Sequence, residues 1–189
     1  MPKPGVEHLR KAALIEAAIR TIGRTGSLDV TVAQIAREAG VSSALAHHYF
    51  GSKTRIFLAS MRRILTSYRD AVRAATEAGQ SPRERLDAIL HASFARPNFE
   101  RETIAAWMNF YALALVEPEA ARLLRVYRLR LRSNLVAALR PLTGARAPDL
   151  AETLGALIDG VYLRAALSGD SDPRKAERMA SDYLKEVLK

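Results

Sequence analysis

Apolar residues recur at helical spacing along almost the whole of this chain. No stretch alternates cleanly at the two-residue period that a half-buried strand requires. That periodicity predicts an all-α protein. Ile15, Ala18, Ile19 and Ile22 fall at i, i+3, i+4 and i+7, which puts them on one face of a helix ending near Gly23 or Gly26. A T-x-x-Q capping box from Thr31 to Gln34 opens a second helix, which runs to Ala39 and stops at Gly40. Ser42 caps a very short third helix, Ser43 to Tyr49, closed by Phe50 and Gly51. Ser52 caps a long fourth, with Phe57, Met61, Ile64, Tyr68, Ala71 and Ala75 on one side, ending at Gly79.

Beyond Gly79 the helices become larger and more apolar. Ser81, Pro82 and Glu84 form a second capping box with proline at the first helical position, ahead of Leu86, Ile89, Leu90 and Phe94. Pro97 ends that helix. An apolar helix follows from about Glu100 to Val116, and Pro118 starts a long one to Arg140, with Leu124, Tyr127, Leu131 and Leu135 inward and Arg122, Arg125, Arg128 and Arg132 along a solvated row. Pro141 to Pro148 is expected as a flexible loop. The helix Asp149 to Ser168 is apolar or small around nearly its whole circumference, and a last helix begins at Asp172 and Pro173, with Ala176, Met179, Ala180, Tyr183, Leu184, Val187 and Leu188 in a broad apolar stripe. One body does not easily cover two such faces. A homodimer built on Leu154, Leu157, Ile158, Val161, Met179, Tyr183 and Val187 as a four-helix bundle is the economical arrangement.

Charge divides the chain in the same way. The 29 Lys and Arg exceed the 20 Asp and Glu, which favours an anionic partner. Residues 1–63 carry ten basic side chains against four acidic ones, so a third of the chain holds two thirds of the excess. A basic module at the N-terminus, including a basic head from Lys3 to Lys11, therefore precedes a nearly neutral body. No apolar stretch approaches the ~18–20 residues of a membrane span and no apolar signal segment opens the chain, so a cytoplasmic protein is expected.

The segment from Thr31 to Tyr49 reads as a helix-turn-helix: a short helix, a glycine at the sharp turn, and a second short helix facing outward. Ala36 and Val41 are small or apolar where the two helices touch. Ser43, Ala44 and His48 suit base edges in a major groove, and Thr31, His47, Tyr49 and Lys53 suit phosphates, with Ser42 at the cap between them. Lys53 also lies at a helix start, where backbone amides attract an anion.

Ile35-Ala36-Arg37-Glu38-Ala39-Gly40-Val41-Ser42, followed by Tyr49-Phe50-Gly51-Ser52-Lys53, resembles the signature of the TetR family of bacterial repressors. Most members have Tyr-x-His-Phe before the glycine, whereas this chain has His47-His48-Tyr49-Phe50. That order, together with Met1-Pro2-Lys3, Ala106-Trp107, Ser133-Asn134-Leu135-Val136, Ala156-Leu157-Ile158-Asp159-Gly160 and Leu163-Arg164-Ala165-Ala166-Leu167-Ser168-Gly169, is similar to the family's choline-responsive repressors of glycine betaine synthesis. The resemblance runs nearly end to end. It implies a three-helix DNA-binding module over residues 1–51 and a ligand-binding, dimerising body over residues 52–189. It also implies a double-stranded operator as partner and choline as small-molecule effector, with no cofactor.

Trp107, Phe110 and Tyr111 lie at i, i+3 and i+4 and share a helix face, onto which Phe94, Phe99, Tyr127 and Tyr162 are able to converge. Two readings fit them. One is plain core; the other is an aromatic cage for a quaternary ammonium, to which each ring contributes ~0.5–2 kcal/mol. Asp159 interrupts an apolar helix, where a lone carboxylate is costly. It either serves as counter-charge to such a cation, pairs with Arg164, the nearest basic residue in sequence, or bonds across a dimer interface.

Catalysis is not expected. The chain has no cysteine and only four histidines. His47 and His48, as helix neighbours, point ~100° apart and are poorly placed for one metal ion, and His8 and His91 lack ligand-spaced partners. Neither a nucleotide-cradling glycine loop, an H-E-x-x-H pair nor a G-x-S-x-G elbow is present. Three classes follow: an inducer-responsive repressor, a helical DNA-binding protein without small-molecule control, and an enzyme of unrecognised site.

Overall fold

Side-chain caps mark five of the helix starts. The computed structural model describes residues 4–76, 80–168 and 172–189, and among these it has no strand. In chain order the helices are α1 (Pro4–Thr25), α2 (Val32–Glu38), α3 (Ser43–Phe50), α4 (Lys53–Ala75), α5 (Pro82–Ser93), α6 (Arg101–Ala114), α7 (Pro118–Thr143), α8 (Ala147–Ser168) and α9 (Pro173–Val187), with 3-10 turns at Arg96–Phe99 and Gly144–Arg146. Both expected capping boxes form, at Thr31 with Gln34 and at Ser81 with Glu84. Ser42 accepts from the Leu45 amide, Ser52 from Arg55 and Asp172 from Arg174, so each satisfies an amide that a helix start leaves orphaned. The expected helix end at Gly79, the opening Met1-Pro2-Lys3 and Gly169 lie outside the described residues.

Two boundaries differ from the sequence expectation. Pro141 to Pro148 is not a flexible loop: α7 runs through Pro141 to Thr143 and a 3-10 turn leads directly into α8. A proline in the last turn forfeits a single amide bond, and the Thr143 hydroxyl donates to the Leu139 carbonyl at 3.0 Å. Gly144, at φ +56°, then takes the left-handed conformation that breaks the helix. The helix that Pro97 was expected to end stops earlier, at Ser93, with Arg96–Phe99 wound as 3-10.

The chain packs as two compact units, Met1–Leu65 with Glu100–Ala121, and Thr66–Phe99 with Arg122–Lys189. In the first, α1 is the central element, packed on α2, α3 and α6. Its buried face is Leu14, Ala17, Ala18 and Ile22, one residue round from the expected one, and Ile15 and Ile19 are only half-buried. Three neighbours on one helix reward small side chains where backbones approach, which sequence periodicity does not encode. Ile35, Ala46, Phe57, Met61 and Phe110 complete this core.

In the second unit α8 packs on α9, and α9 on α5. Leu86, Ile89, Leu90 and Phe94 are buried as expected, with Leu131, Leu135, Ala180 and Leu184. One copy of the chain leaves part of α8 uncovered, with Leu163 and Leu167 39% and 73% exposed.

Candidate nucleic-acid interface and effector site

The turn between α2 and α3 is built from the backbone. Gly40 sits at φ +67°, accessible to glycine without a Cβ penalty, and the Val41 amide returns to the Ala36 carbonyl at 3.0 Å. Ile35, Ala36 and Ala46 are buried where the helices meet. Ala44, His47 and His48 are exposed, at i, i+3 and i+4 of α3, while Ser43 and Tyr49 are half-buried beside them. The His48 and Tyr49 rings are 5.6 Å apart. Lys11 of α1 holds its ammonium 5.3 Å over the Tyr49 ring and pairs with Glu7 at 2.7 Å. This cation beside α3 was not singled out from sequence, because only the packing of α1 on α3 brings it there.

Three of the expected phosphate or cap residues also hold the module together. The Thr31 hydroxyl accepts from the Gln34 amide at 3.1 Å and Ser42 caps α3. Lys53 Nζ donates to the Leu28 carbonyl at 2.7 Å, so α4 ties the segment joining α1 to α2. Glu38 at the end of α2 accepts from Arg24 at 2.8 Å and Arg20 at 3.1 Å, and those two bonds, Arg24's first, hold its carboxyl below the ordinary value.

Helix α6 belongs to this same unit. Asn109 Nδ2 donates to the Gly26 carbonyl at 3.2 Å and its Oδ1 accepts from the Leu28 amide at 3.2 Å. One turn of α6 thus fastens the α1–α2 connection from the side opposite in sequence. On that helix the Trp107 ring stands edge-on to Phe110, centroids 5.9 Å apart at 66°, and 5.6 Å from Tyr111. Phe110 is fully buried and Trp107 is 7% exposed.

The other residues of the expected cage lie in the second unit. Tyr127 meets Tyr68 edge-on at 5.9 Å, and the Tyr68 hydroxyl bonds Ser93 Oγ at 2.9 Å. Burial pushes the Tyr68 phenol up to about 12 against the pull of its Ser93 bond, and the charge of Asp159 pushes the same way as burial. Tyr162 stacks edge-on to Phe99 at 5.3 Å and donates to the Asn98 carbonyl at 2.8 Å. Asp159 pairs with Arg128, at 3.9 Å, and not with Arg164. Arg164 lines a cavity of about 270 Å³ between α8 and α9 with Asp172 and Lys175. Burial raises the Asp159 carboxyl above its ordinary value, outweighing Arg128. The arginine row of α7 is exposed as expected, and two of its members also form surface ion pairs with α8, Arg128 with Asp159 and Arg132 with Glu152 at 3.2 Å.

Of the expected interface residues, Leu154, Ile158 and Val161 are buried within one copy of the chain, so they offer a partner little surface. Leu157, Tyr183 and Val187 are half-buried. Met179 is 48% exposed and joins Leu163 and Leu167 as the large apolar side chains still open on α8 and α9. No metal-binding cluster of His, Asp or Glu occurs among the described residues, and none of their helices is long and apolar enough to cross a membrane.

Residues 82–189 match the family profile described as BetI-type transcriptional repressor, C-terminal, and residues 14–60 match that of bacterial regulatory proteins, tetR family. The HTH-type transcriptional regulator BetI of Brucella melitensis is 53% identical over 186 residues, covering 97% of this chain and 94% of that protein. That of Agrobacterium fabrum is 49% identical over 191 residues, covering 100% and 93%. Among solved structures, a candidate transcriptional regulator from Saccharomonospora viridis in complex with choline superposes with a TM-score of 0.83 at 25% identity, covering 93% of this chain and 95% of the other. These relatives are regulators, which agrees with the absence of a catalytic signature.

Proposed function

The chain belongs to the TetR family of bacterial regulatory proteins and is a BetI-like transcriptional repressor, and from that premise we propose that it acts in the cytoplasm as a choline-responsive dimer controlling glycine betaine synthesis genes. Residues 1–51 bind the operator and residues 52–189 bind the effector and dimerise. Helix α3 enters the major groove, with Ser43, Ala44 and His48 at base edges and Thr31, Ser42, His47, Tyr49 and Lys53 toward the backbone. Dimerisation rests on Leu157, Met179, Tyr183 and Val187 of α8 and α9, because that apolar surface together with Leu163 and Leu167 otherwise faces water. Two seats for choline follow, one in each unit: Trp107 with Phe110 and Tyr111 in the first, or Tyr127 and Tyr162 with Asp159 as counter-charge in the second.

The observation that carries the ligand is a half-buried, poorly paired carboxylate, Asp159, in a unit that also holds the Tyr68–Tyr127 and Phe99–Tyr162 ring pairs; the choline-bound structure of similar fold supports it. Helix α4 starts at Lys53 beside the recognition helix and reaches Tyr68 in the second unit, so a ligand-dependent shift of its later half changes the spacing of paired recognition helices. Only ~1.4 kcal/mol of coupling gives a tenfold change in operator affinity.

The test is choline binding by calorimetry and operator binding by fluorescence anisotropy, in wild type and Trp107→Phe. Truncating Trp107 to alanine is unsuitable, because a buried tryptophan costs ~3–5 kcal/mol to remove and this one packs in the recognition unit. Trp107→Phe weakens choline binding if the first-unit rings hold the ligand and leaves it unchanged if the ligand seats at Asp159; operator affinity without choline is kept in both cases. Undiminished choline binding removes Trp107 from the cage; no choline binding by wild type leaves a repressor of another effector.

A further inference from the structure

Asp159 is a half-buried carboxylate whose ion-pair partner stands at long range. Its side chain is 23% exposed, yet among the described residues it accepts no hydrogen bond, and its ion pair with Arg128 spans 3.9 Å between Oδ2 and Nε. A half-buried carboxylate is best satisfied on its protein side by a close, hydrogen-bonded guanidinium. Arg128 does not provide this and keeps its side chain 64% exposed, so its departure costs little solvation.

Two aromatic pairs share the second unit with this loose ion pair. Tyr127 precedes Arg128 on the same turn of α7 and stands edge-on to Tyr68 of α4. The Tyr68 ring is fixed: its hydroxyl reaches Ser93 Oγ, and Ser93 donates to the Ile89 carbonyl at 2.8 Å. The Asp159 charge is felt at Tyr68. One turn further along α8, Tyr162 is held by Asn98 and Phe99. All of these belong to the second unit.

We propose that the effector's quaternary ammonium seats at Asp159 with Tyr68 and Tyr127 as aromatic walls, and that Arg128 is a built-in cation which the ligand displaces. This rests on the choline reading above and deepens it. A trimethylammonium carries no N–H and so gains nothing from a well-organised hydrogen-bond cradle; it gains from an under-satisfied carboxylate and from ring faces. The long contact to Arg128 neutralises the empty seat without closing it. On binding, the carboxylate exchanges one cation for another, Arg128 swings out to water, and the ligand touches Tyr68 on α4, the helix that begins beside the recognition helix. Occupancy is thereby registered on α4 and α7 together.

The full-length protein is titrated calorimetrically with choline and with its uncharged isostere 3,3-dimethylbutan-1-ol, as wild type, Arg128→Gln, Arg128→Lys and Asp159→Asn, with circular dichroism to verify folding. Removing the competing cation in Arg128→Gln tightens choline binding roughly threefold or more and leaves the isostere unchanged, while Arg128→Lys stays within about twofold of wild type. Asp159→Asn weakens choline about tenfold or more, down to the level of the isostere. A structural defect would move both ligands alike. Choline affinity unchanged or weaker in Arg128→Gln, or undiminished in Asp159→Asn, overturns the exchange. If wild type binds choline through Trp107 with no effect at Asp159 and Arg128, only the exchange fails; no choline binding by wild type overturns the choline reading and the exchange with it.

Discussion

Gly23 is the point at which a single methyl group should do most damage to the recognition unit. It lies near the end of α1 where α6 crosses, and a Cβ placed there would stand 2.4 Å from Glu102 Cγ, 2.5 Å from its Cα and 2.6 Å from its Cβ. Contacting carbons sit ~3.5–4.0 Å apart, so α1 and α6 must separate by about 1 Å. The obstacle includes backbone, and no rotamer change removes it. Alanine in a helix interior gains ~0.8–1.0 kcal/mol over glycine, whereas overpacking costs ~1–3 kcal/mol. Separation also strains the two Asn109 bonds to Gly26 and Leu28, each 3.2 Å and each worth ~1 kcal/mol. Gly23→Ala should therefore lose about 2 kcal/mol. At ~2–4 °C per kcal/mol for a chain of this size, that is a fall of ~4–8 °C in Tm. Trp107 is the single tryptophan and sits on α6, so urea unfolding followed by its fluorescence reports the unit concerned. A Gly23→Ala protein as stable as wild type, or more so, would refute the claimed approach of the two helices.

Asp159→Asn should raise stability at neutral pH: burial lifts the folded carboxyl above its unfolded value, so the wild type loses stability as pH rises through that range, and the advantage of the asparagine variant in Tm should vanish as pH falls back through it. Lys53→Ala should weaken binding to all operator sequences alike and reduce the salt slope by about one. A weaker complex with an unchanged slope would mean that Lys53 acts only through its bond to Leu28. Met179→Glu with Val187→Glu should yield monomers in sedimentation, since Met179 is 48% exposed and Val187 half-buried on the outer side of α9; dimers of undiminished affinity would place the interface elsewhere. Asn109→Leu, which keeps volume and removes both bonds to the α1–α2 connection, should cost ~1–3 kcal/mol and lower operator affinity.

What the amino-acid order alone determined about this protein is local. Caps at Thr31, Ser42, Ser52, Ser81 and Asp172 are interactions over two or three residues, and the turn at Gly40 needs only a left-handed backbone, so helix starts and the helix-turn-helix were legible without any tertiary contact. Side-chain partners across long separations were not. Asp159 takes Arg128, 31 positions away in the chain, instead of the nearby Arg164, because α7 and α8 lie side by side and one helix turn sets which guanidinium faces the carboxylate. The grouping of α6 with α1 rather than with its chain neighbours depends on the missing Cβ of Gly23 and on Asn109, 81 positions from Leu28. Tyr68 read as one more apolar position on α4; only the tertiary fold sets its ring edge-on to Tyr127 and its hydroxyl on Ser93. Periodicity fixes which side of a helix is apolar, and the tertiary fold decides what that side meets.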